Sequence, residues 1–426
     1  MINKRRLLNL TMMGLAAVGL CACGGTGDGG DTSKPELTVW CTLLDNDIQA
    51  TIIKNFQEKY PDYANYNIHV IGNIAENETQ GSLHKDTNAA ADVICMVDDN
   101  IQKAVASKEL LALGADEKTA ITATDGEEAV NAASIGGTLY GYPYRADNAP
   151  LLIYNDKKLT ADDVSTFEKL FAKAKSLNSK VACDIGNGWY NPFILWMGGG
   201  DFTLNSDMQI AANFANVKGC ATSAQAMYDF YGKYQSAWNI TSDNAIIENG
   251  LSDGSLVAAF FWNDLAAIRA ALPSESTVKV ASWPTFDVGG TPVKCTHFKG
   301  YKDYVIKAAI DEAKIPVAKA FCAYATSEEV QNLRCTDTKL QYGPSNINSK
   351  ATEAAKALEW SSVIMADDTA KLTRAQALTT NSDFWDPMGA FGGLIGSQSN
   401  WGEFGSASRA IQNIVSSNGW NSVTSI

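Results

Sequence analysis

Six short stretches set acids, amides, a guanidinium or aromatic rings side by side: Asp45-Asn46-Asp47, Asp98-Asp99-Asn100, Tyr144-Arg145-Ala146-Asp147, Trp189-Tyr190-Asn191, Trp262-Asn263-Asp264 and Trp385-Asp386. Together they are what a hydroxyl-rich molecule such as a sugar needs. Its C–H faces pack on flat rings, and its hydroxyls need charged or amide partners in place of water. One aromatic ring is an ordinary core residue. The recurrence of rings beside polar groups, where apolar runs give way to polar ones, is what points to a ligand platform.

The same residues offer little else. Acids near aromatics also describe a glycosidase, which needs two carboxylates at a set separation. Asp98 and Asp99 do not fit by adjacency alone, since neighbours on an extended segment point to opposite sides. There is no GxSxG elbow, no HExxH and no GxxxxGK[ST] loop. The acidic stretches lack the glycine and terminal glutamate of a calcium loop. Three dispersed histidines (His69, His84, His297) do not make a metal site. We therefore expect no catalytic residues, no metal and no cofactor. With 34 Lys+Arg against 47 Asp+Glu, the formal charge is −13, which repels a phosphate backbone and excludes nucleic acid as a partner.

The elements that must position these loops follow from hydrophobic pattern. A length of 426 residues, 46% of them hydrophobic, suits two or three domains with real cores. Leu37–Cys41, Ile68–Ile71, Asp92–Met96, Leu151–Tyr154, Leu256–Phe261 and Val278–Trp283 read as strands. Ile48, Ile52 and Phe56 recur at helical spacing until Pro61, and Phe167–Leu177 repeats the pattern with a lysine-rich opposite face. Ile101–Leu111 is predicted as a further helix. Strands alternating with helices predict α/β layers with mainly parallel sheets, whose ligands bind where strands end.

At the N-terminus, Lys4-Arg5-Arg6 precedes a mostly apolar run from Leu7 to Leu20. That run falls short of the ~20 residues a membrane span needs, so it reads as a secretory leader. Leu20-Cys21-Ala22-Cys23 followed by glycine is similar to the lipobox of bacterial lipoproteins. Residues 1–22 would be removed and Cys23 lipidated. Residues 23–35 form a Gly-rich tether without a basic cluster, so the lipid alone would hold the membrane. The seven later cysteines are odd in number and lack a CxxC pair, so they imply no full disulfide framework.

Seven segments, in order, carry a family resemblance over nearly the whole mature chain: LTVWCTLLDND, ADVICMVDDNIQKAVASKELLAL, IGGTLYGYPYRADNAPLLIYNDKKL, NGWYNPFILWMGGG, SDGSLVAAFFWNDLAAI, VASWPTF and DFWDPMGAFGGLI. The chain resembles the substrate-binding lipoproteins of ATP-driven sugar importers, in the maltose/maltodextrin-binding branch of the extracellular solute-binding family. It departs from that family at Met96, where many members carry an aromatic, and in lacking Gly-Pro before Trp262.

The resemblance implies a two-lobed, type II periplasmic-binding-protein-like α/β fold with a cleft between lobes joined by crossover strands. Lobe one would take residues 36–146 plus 294–342, and lobe two 147–293 plus 343–426. Crossings would fall near Tyr144–Ala149, Asp287–Thr291 and Tyr342–Pro344. By position, Trp262 and Trp385 would stack on sugar, with Asn263 beside the former and Tyr190 a further ring. Asp45, Asp99 and Asp147 would accept from hydroxyls, and Arg145 would donate. Trp189 would touch ligand or wedge a helix start. The implied protein is a monomer on the outer face of the cytoplasmic membrane. It would capture an oligosaccharide, most simply a maltodextrin, for the permease of an ABC importer. A peptide or polyamine is the alternative solute, and a secreted glycoside hydrolase the more distant one. Cys23→Ser should release the protein into the medium on cell fractionation; retention with the membrane would overturn the lipid anchor.

Overall fold

The computed structural model describes residues 34–426 except 43–44, 73, 206, 263–264, 274–276, 367–370 and 382. The leader, Cys23, most of the tether and Asn263 therefore lie outside the described residues.

Helices and strands form where the pattern is strongest. Asn46–Lys59 is one helix that buries Ile48, Ile52 and Phe56. Asp45 precedes it, yet its side chain makes no capping bond, because its carboxylate is engaged elsewhere. Phe167–Ser176 is capped by Thr166, whose side chain accepts from the Lys169 amide, and buries Phe167, Leu170, Phe171 and Ala174. The helix predicted over 101–111 instead spans Asp98–Ala106. Lys108 then turns with φ of 59°.

Two sheets each sit in their own core. The first runs Thr373–Ala375, His297–Ile306, Val93–Val97, Glu36–Trp40, Asn67–Ile71, with Gly141–Asn148 also paired to His297–Ile306. The second runs Trp238–Asn239, Lys180–Ala182, Leu256–Phe261, Leu151–Asn155, Val278–Ala281. Both are mixed rather than mainly parallel. His297–Ile306 is antiparallel to Val93–Val97 and to Gly141–Asn148, and Leu151–Asn155 is antiparallel to both its neighbours. Strands that carry the chain between lobes must run back against those already there.

The first core joins Leu37, Phe56, Val93 and Tyr142 to Tyr304 and Phe321. The second joins Leu152, Phe167, Phe193 and Phe260 to Trp283 and Phe391. Residues that alternate with these, such as Leu151, Ile153, Ala259 and Phe261, fill a separate cluster with Trp360. Both faces of the second sheet are thus buried, which is why LVAAFF is apolar throughout.

The chain passes between lobes at Ala149-Pro150 and again along His297–Ile306, whose Phe298 belongs to the second core and Tyr304 to the first. Asp287–Thr291 is not a crossing. Gly289 (φ 63°) and Gly290 (φ 92°) turn a hairpin between Thr285–Val288 and Thr291–Lys294. After Tyr342 the chain stays with the first lobe for longer than its glycine and proline suggest: helices Ile347–Lys350 and Glu353–Ala357 pack on Glu328–Thr336. It reaches the second lobe with Glu359–Met365, then returns to pair Thr373–Ala375 with His297–Lys299.

All seven described cysteines are free and buried. They serve as small apolar groups, and burial pushes the Cys41 thiol up to about 12.

One buried acid stands apart. Asp303 is 0% exposed, and neither carboxyl oxygen has a hydrogen-bond partner. Burial first, and then the nearby Asp98 and Asp125, raise its pKa well above the ordinary range. Burial likewise lifts Asp98 to about 8 and Asp99 to about 6. A carboxyl whose folded pKa is raised stabilises the fold at low pH and loses that contribution as pH rises through the folded value. The unfolding midpoint should therefore fall between pH 5 and pH 8, and Asp303→Asn should flatten part of that slope. A wild-type midpoint that rises over the interval would refute the reading.

Candidate ligand-binding site

Between the lobes lies a cavity of about 360 Å³. The first lobe contributes Thr42 and the loop Ile74–Glu76 with Glu78. The crossover strand contributes Arg145, the long strand Lys302, and the last segment of the first core Leu340–Tyr342. The second lobe contributes Trp262, Leu265 and Ala266, at the end of the buried strand Leu256–Phe261, and Leu358–Trp360.

Charge is concentrated on the first-lobe wall. Arg145 is only 3% exposed, yet its Nε donates to Asp147 Oδ1 at 2.9 Å and its Nη1 lies 3.9 Å from Glu76 Oε1. The guanidinium stacks on the Tyr342 ring, 3.5 Å from its centroid. Lys302 Nζ is 3.4 Å from the same Glu76 oxygen, to which Tyr144 also donates at 3.2 Å. Burial opposes the Glu76 charge, but Lys302 and Arg145 outweigh it and hold the carboxyl below its ordinary range. Burial and the Arg145 charge pull Lys302 downward. Facing this wall is the Trp262 ring, 5.6 Å from Lys302 Nζ, with its indole N–H fixed by Asn244 Oδ1 at 3.1 Å. A flat apolar face thus stands opposite converging charged groups.

The candidate residues fall into distinct places. Arg145 and Trp262 line the cavity. Asp147, 1% exposed, lies behind Arg145 and accepts from the Gly343 amide at 2.6 Å. Asp45, also 1% exposed, faces Arg334 Nε at 3.4 Å; burial raises its pKa although Arg334 opposes the shift. Asp99 and Trp189 meet through Gln376, whose amide donates to Asp98 Oδ1 at 2.6 Å and to Asp99 Oδ1 at 3.3 Å. Its carbonyl accepts from the Trp189 indole at 2.8 Å. Asp98 and Asp99 do not splay apart as an extended segment would make them, because they open a helix. Tyr190 is 3% exposed in the second core, edge-on to Trp189. Trp385 is half-buried against Phe298 and Phe384.

Glu76, Lys302, Tyr342, Trp360 and Gln376 were missed by sequence reasoning. Lys302-Asp303, a charge pair directly before the apolar end Tyr304–Ile306 of its strand, is the one signal that could have found any of them. Among the described residues no cluster of three His, Cys, Asp or Glu side chains could hold a metal, and no helix is long and apolar enough to cross a membrane.

A family model for bacterial extracellular solute-binding proteins matches residues 51–362. The chain belongs to that family. No curated protein matches it in sequence. Its fold is shared with the maltodextrin-binding protein MalE1 from L. casei BL23 without ligand (18% identity, 89% of this chain and 99% of that one, TM-score 0.73). It is shared too with MalX from Streptococcus pneumoniae in complex with maltopentaose (19%, 90% and 99%, 0.70). A third is the maltose-binding periplasmic protein MalE from Listeria monocytogenes in complex with maltose (18%, 90% and 98%, 0.67). The two-lobed type II architecture is theirs as well. This family member is a solute-binding protein and not an enzyme.

The Arg145 cluster generates a stability prediction. Removing the guanidinium breaks the buried Arg145–Asp147 pair and leaves Glu76 to Lys302 alone, a loss of ~3–5 kcal/mol for a broken buried pair. Arg145→Ala should lower the denaturant midpoint by a corresponding margin at unchanged slope; a shift near zero would mean the pair is solvated.

Proposed function

We propose that this protein captures a saccharide of the maltose/maltodextrin type between its lobes and hands it to the permease of an ABC importer. The observation that carries the reading is the interlobe cavity itself. It sets the Trp262 ring against Arg145, Lys302 and Glu76, matching the C–H faces and the hydroxyls of a sugar. Neighbours in fold solved with maltose and maltopentaose support the choice of ligand class. In this reading Arg145 and Trp262 touch the ligand, and Asp147 and Asp45 hold the first-lobe wall in place. Closure about the connecting strands buries the sugar, and the closed form docks on the permease as a monomer. The lipid on Cys23 keeps the protein at the outer face of the membrane, and the acidic surface meets the permease by complementary charge.

The test is a tryptophan-fluorescence titration of the soluble form beginning at Thr26 against maltose, maltotriose, longer maltodextrins, unrelated sugars, peptides and polyamines. Saturable change with glucans supports the reading. A response to a polyamine or peptide alone would replace the solute. Trp262→Ala should weaken sugar binding about tenfold or more, since burying such a ring is worth roughly 1.5–3 kcal/mol. Unchanged affinity in that variant would remove Trp262 from the site.

A further inference from the structure

Gln376 stands at the boundary between lobes. It follows the short strand Thr373–Ala375, which is tied to His297–Lys299, and its side chain is 2% exposed. Its amide donates to Asp98 and Asp99 on the first lobe, and its carbonyl accepts from the Trp189 indole on the second. One primary amide thus engages three groups of the kind that would otherwise bind sugar hydroxyls.

Gln376, Asp98, Asp99 and Trp189 do not themselves line the cavity, but Gln376 rests against the same strand that does. Gly300 and Lys302 lie two apart on His297–Ile306, roughly 6.6 Å along a strand. Lys302 lines the cavity, while a Cβ at Gly300 would sit 2.6 Å from Gln376 Nε2. The strand therefore carries a glycine where the Gln376 amide rests on its backbone. The Asp98–Ala106 helix start also adjoins the cavity loop, since Asn100 Nδ2 donates to the Asn77 carbonyl at 3.1 Å. What stays open is about 360 Å³, near the lower end of the ~300–1,000 Å³ usual for small-molecule sites.

We propose that Gln376 is a specificity-determining residue: it fills the Asp99–Trp189 end of the cleft, so the protein selects saccharides of one or two rings over longer chains. The inference rests on the sugar-binding reading and sharpens it. A ligand that extended past Lys302 would have to displace an amide whose donors and acceptor are all satisfied within the protein.

Calorimetric titration of the soluble wild-type protein, Gln376→Ala and Gln376→Ser would use gluco-, galacto- and xylo-saccharide ladders of one to five rings. The wild type should bind its mono- or disaccharide at least tenfold more tightly than the five-ring member of the same series. In both variants the preference for the short ligand over the long one should fall at least tenfold, beyond any loss common to both lengths from the broken Trp189 contact. Gln376→Ser is a second, polar truncation that guards against misfolding of the alanine form. Wild-type binding of long chains as tight as of short ones would overturn the inference alone. So would equal losses for both lengths in the variants, or short-chain preference left intact in them. Silence toward every saccharide in wild type and variants would overturn the sugar reading, and this inference with it.

Discussion

A guanidinium almost without water organises the middle of this molecule. Arg145 lies on the tyrosine ring of one segment, bonds a carboxylate two residues along its own strand and approaches a third residue, Glu76, from a loop. Asp147, which neutralises it, also accepts from the Gly343 amide, and its main-chain carbonyl accepts from the Trp360 indole at 3.2 Å. Strand Gly141–Asn148, the segment around Tyr342–Gly343 and the start of Glu359–Met365 therefore meet on two residues. A buried ion pair adds little net stability over an apolar substitute, because desolvation consumes most of its attraction. Its consequence here is geometric. Any shift of these segments would expose a charge to an apolar interior, so their relative register is held tightly.

That constraint explains why the polar wall belongs almost wholly to the first lobe. Glu76 and Asp147 neutralise Arg145 and Lys302 before any ligand arrives, so the wall is already assembled. The second lobe supplies a ring. Most other tryptophans in the chain serve packing, and their indole N–H groups are satisfied inside the protein. Trp283 donates to the Pro150 carbonyl, Trp238 to that of Cys183, Trp196 to Asp201 and Trp401 to Gln225. Aromatic abundance therefore reflects the demands of a large α/β core. Trp262 differs in where it sits, at the mouth of a fully buried strand, and not in its residue type.

The strands and amphipathic helices were legible because burial imposes its period on the sequence: both faces of Leu256–Phe261 are covered, and the run is apolar throughout. Arg145 and Trp262 were legible as loop and crossover residues for the same reason, since they follow or interrupt such runs. The direction in which a ring turns is set by tertiary packing, so sequence named Tyr190 and Trp385 without distinguishing a cavity wall from the second core they pack in. Gln376 left no trace at all. Its partners are 187 and 278 residues away in the chain, and only the completed fold brings them together. The second crossing was misplaced because a Gly-Gly pair serves a hairpin as readily as a hinge.

The contacts that span the cleft differ in kind from those that build its walls. Trp189 to Gln376 is one hydrogen bond, and Trp262 over Lys302 is a cation–π approach; each is worth on the order of 1 kcal/mol net. The Arg145 cluster, by contrast, lies on the first-lobe side and at the connections, where opening leaves it intact. In the proposed closure, separating the lobes would break those two contacts and leave the Arg145 cluster in place. A ligand that engages the Trp262 ring and the first-lobe wall together has a larger differential affinity for the closed arrangement than either spanning contact supplies. It can shift the balance between open and closed by that margin. A binding protein that must release its cargo needs this division between a rigid, self-neutralised wall and a weakly latched partner.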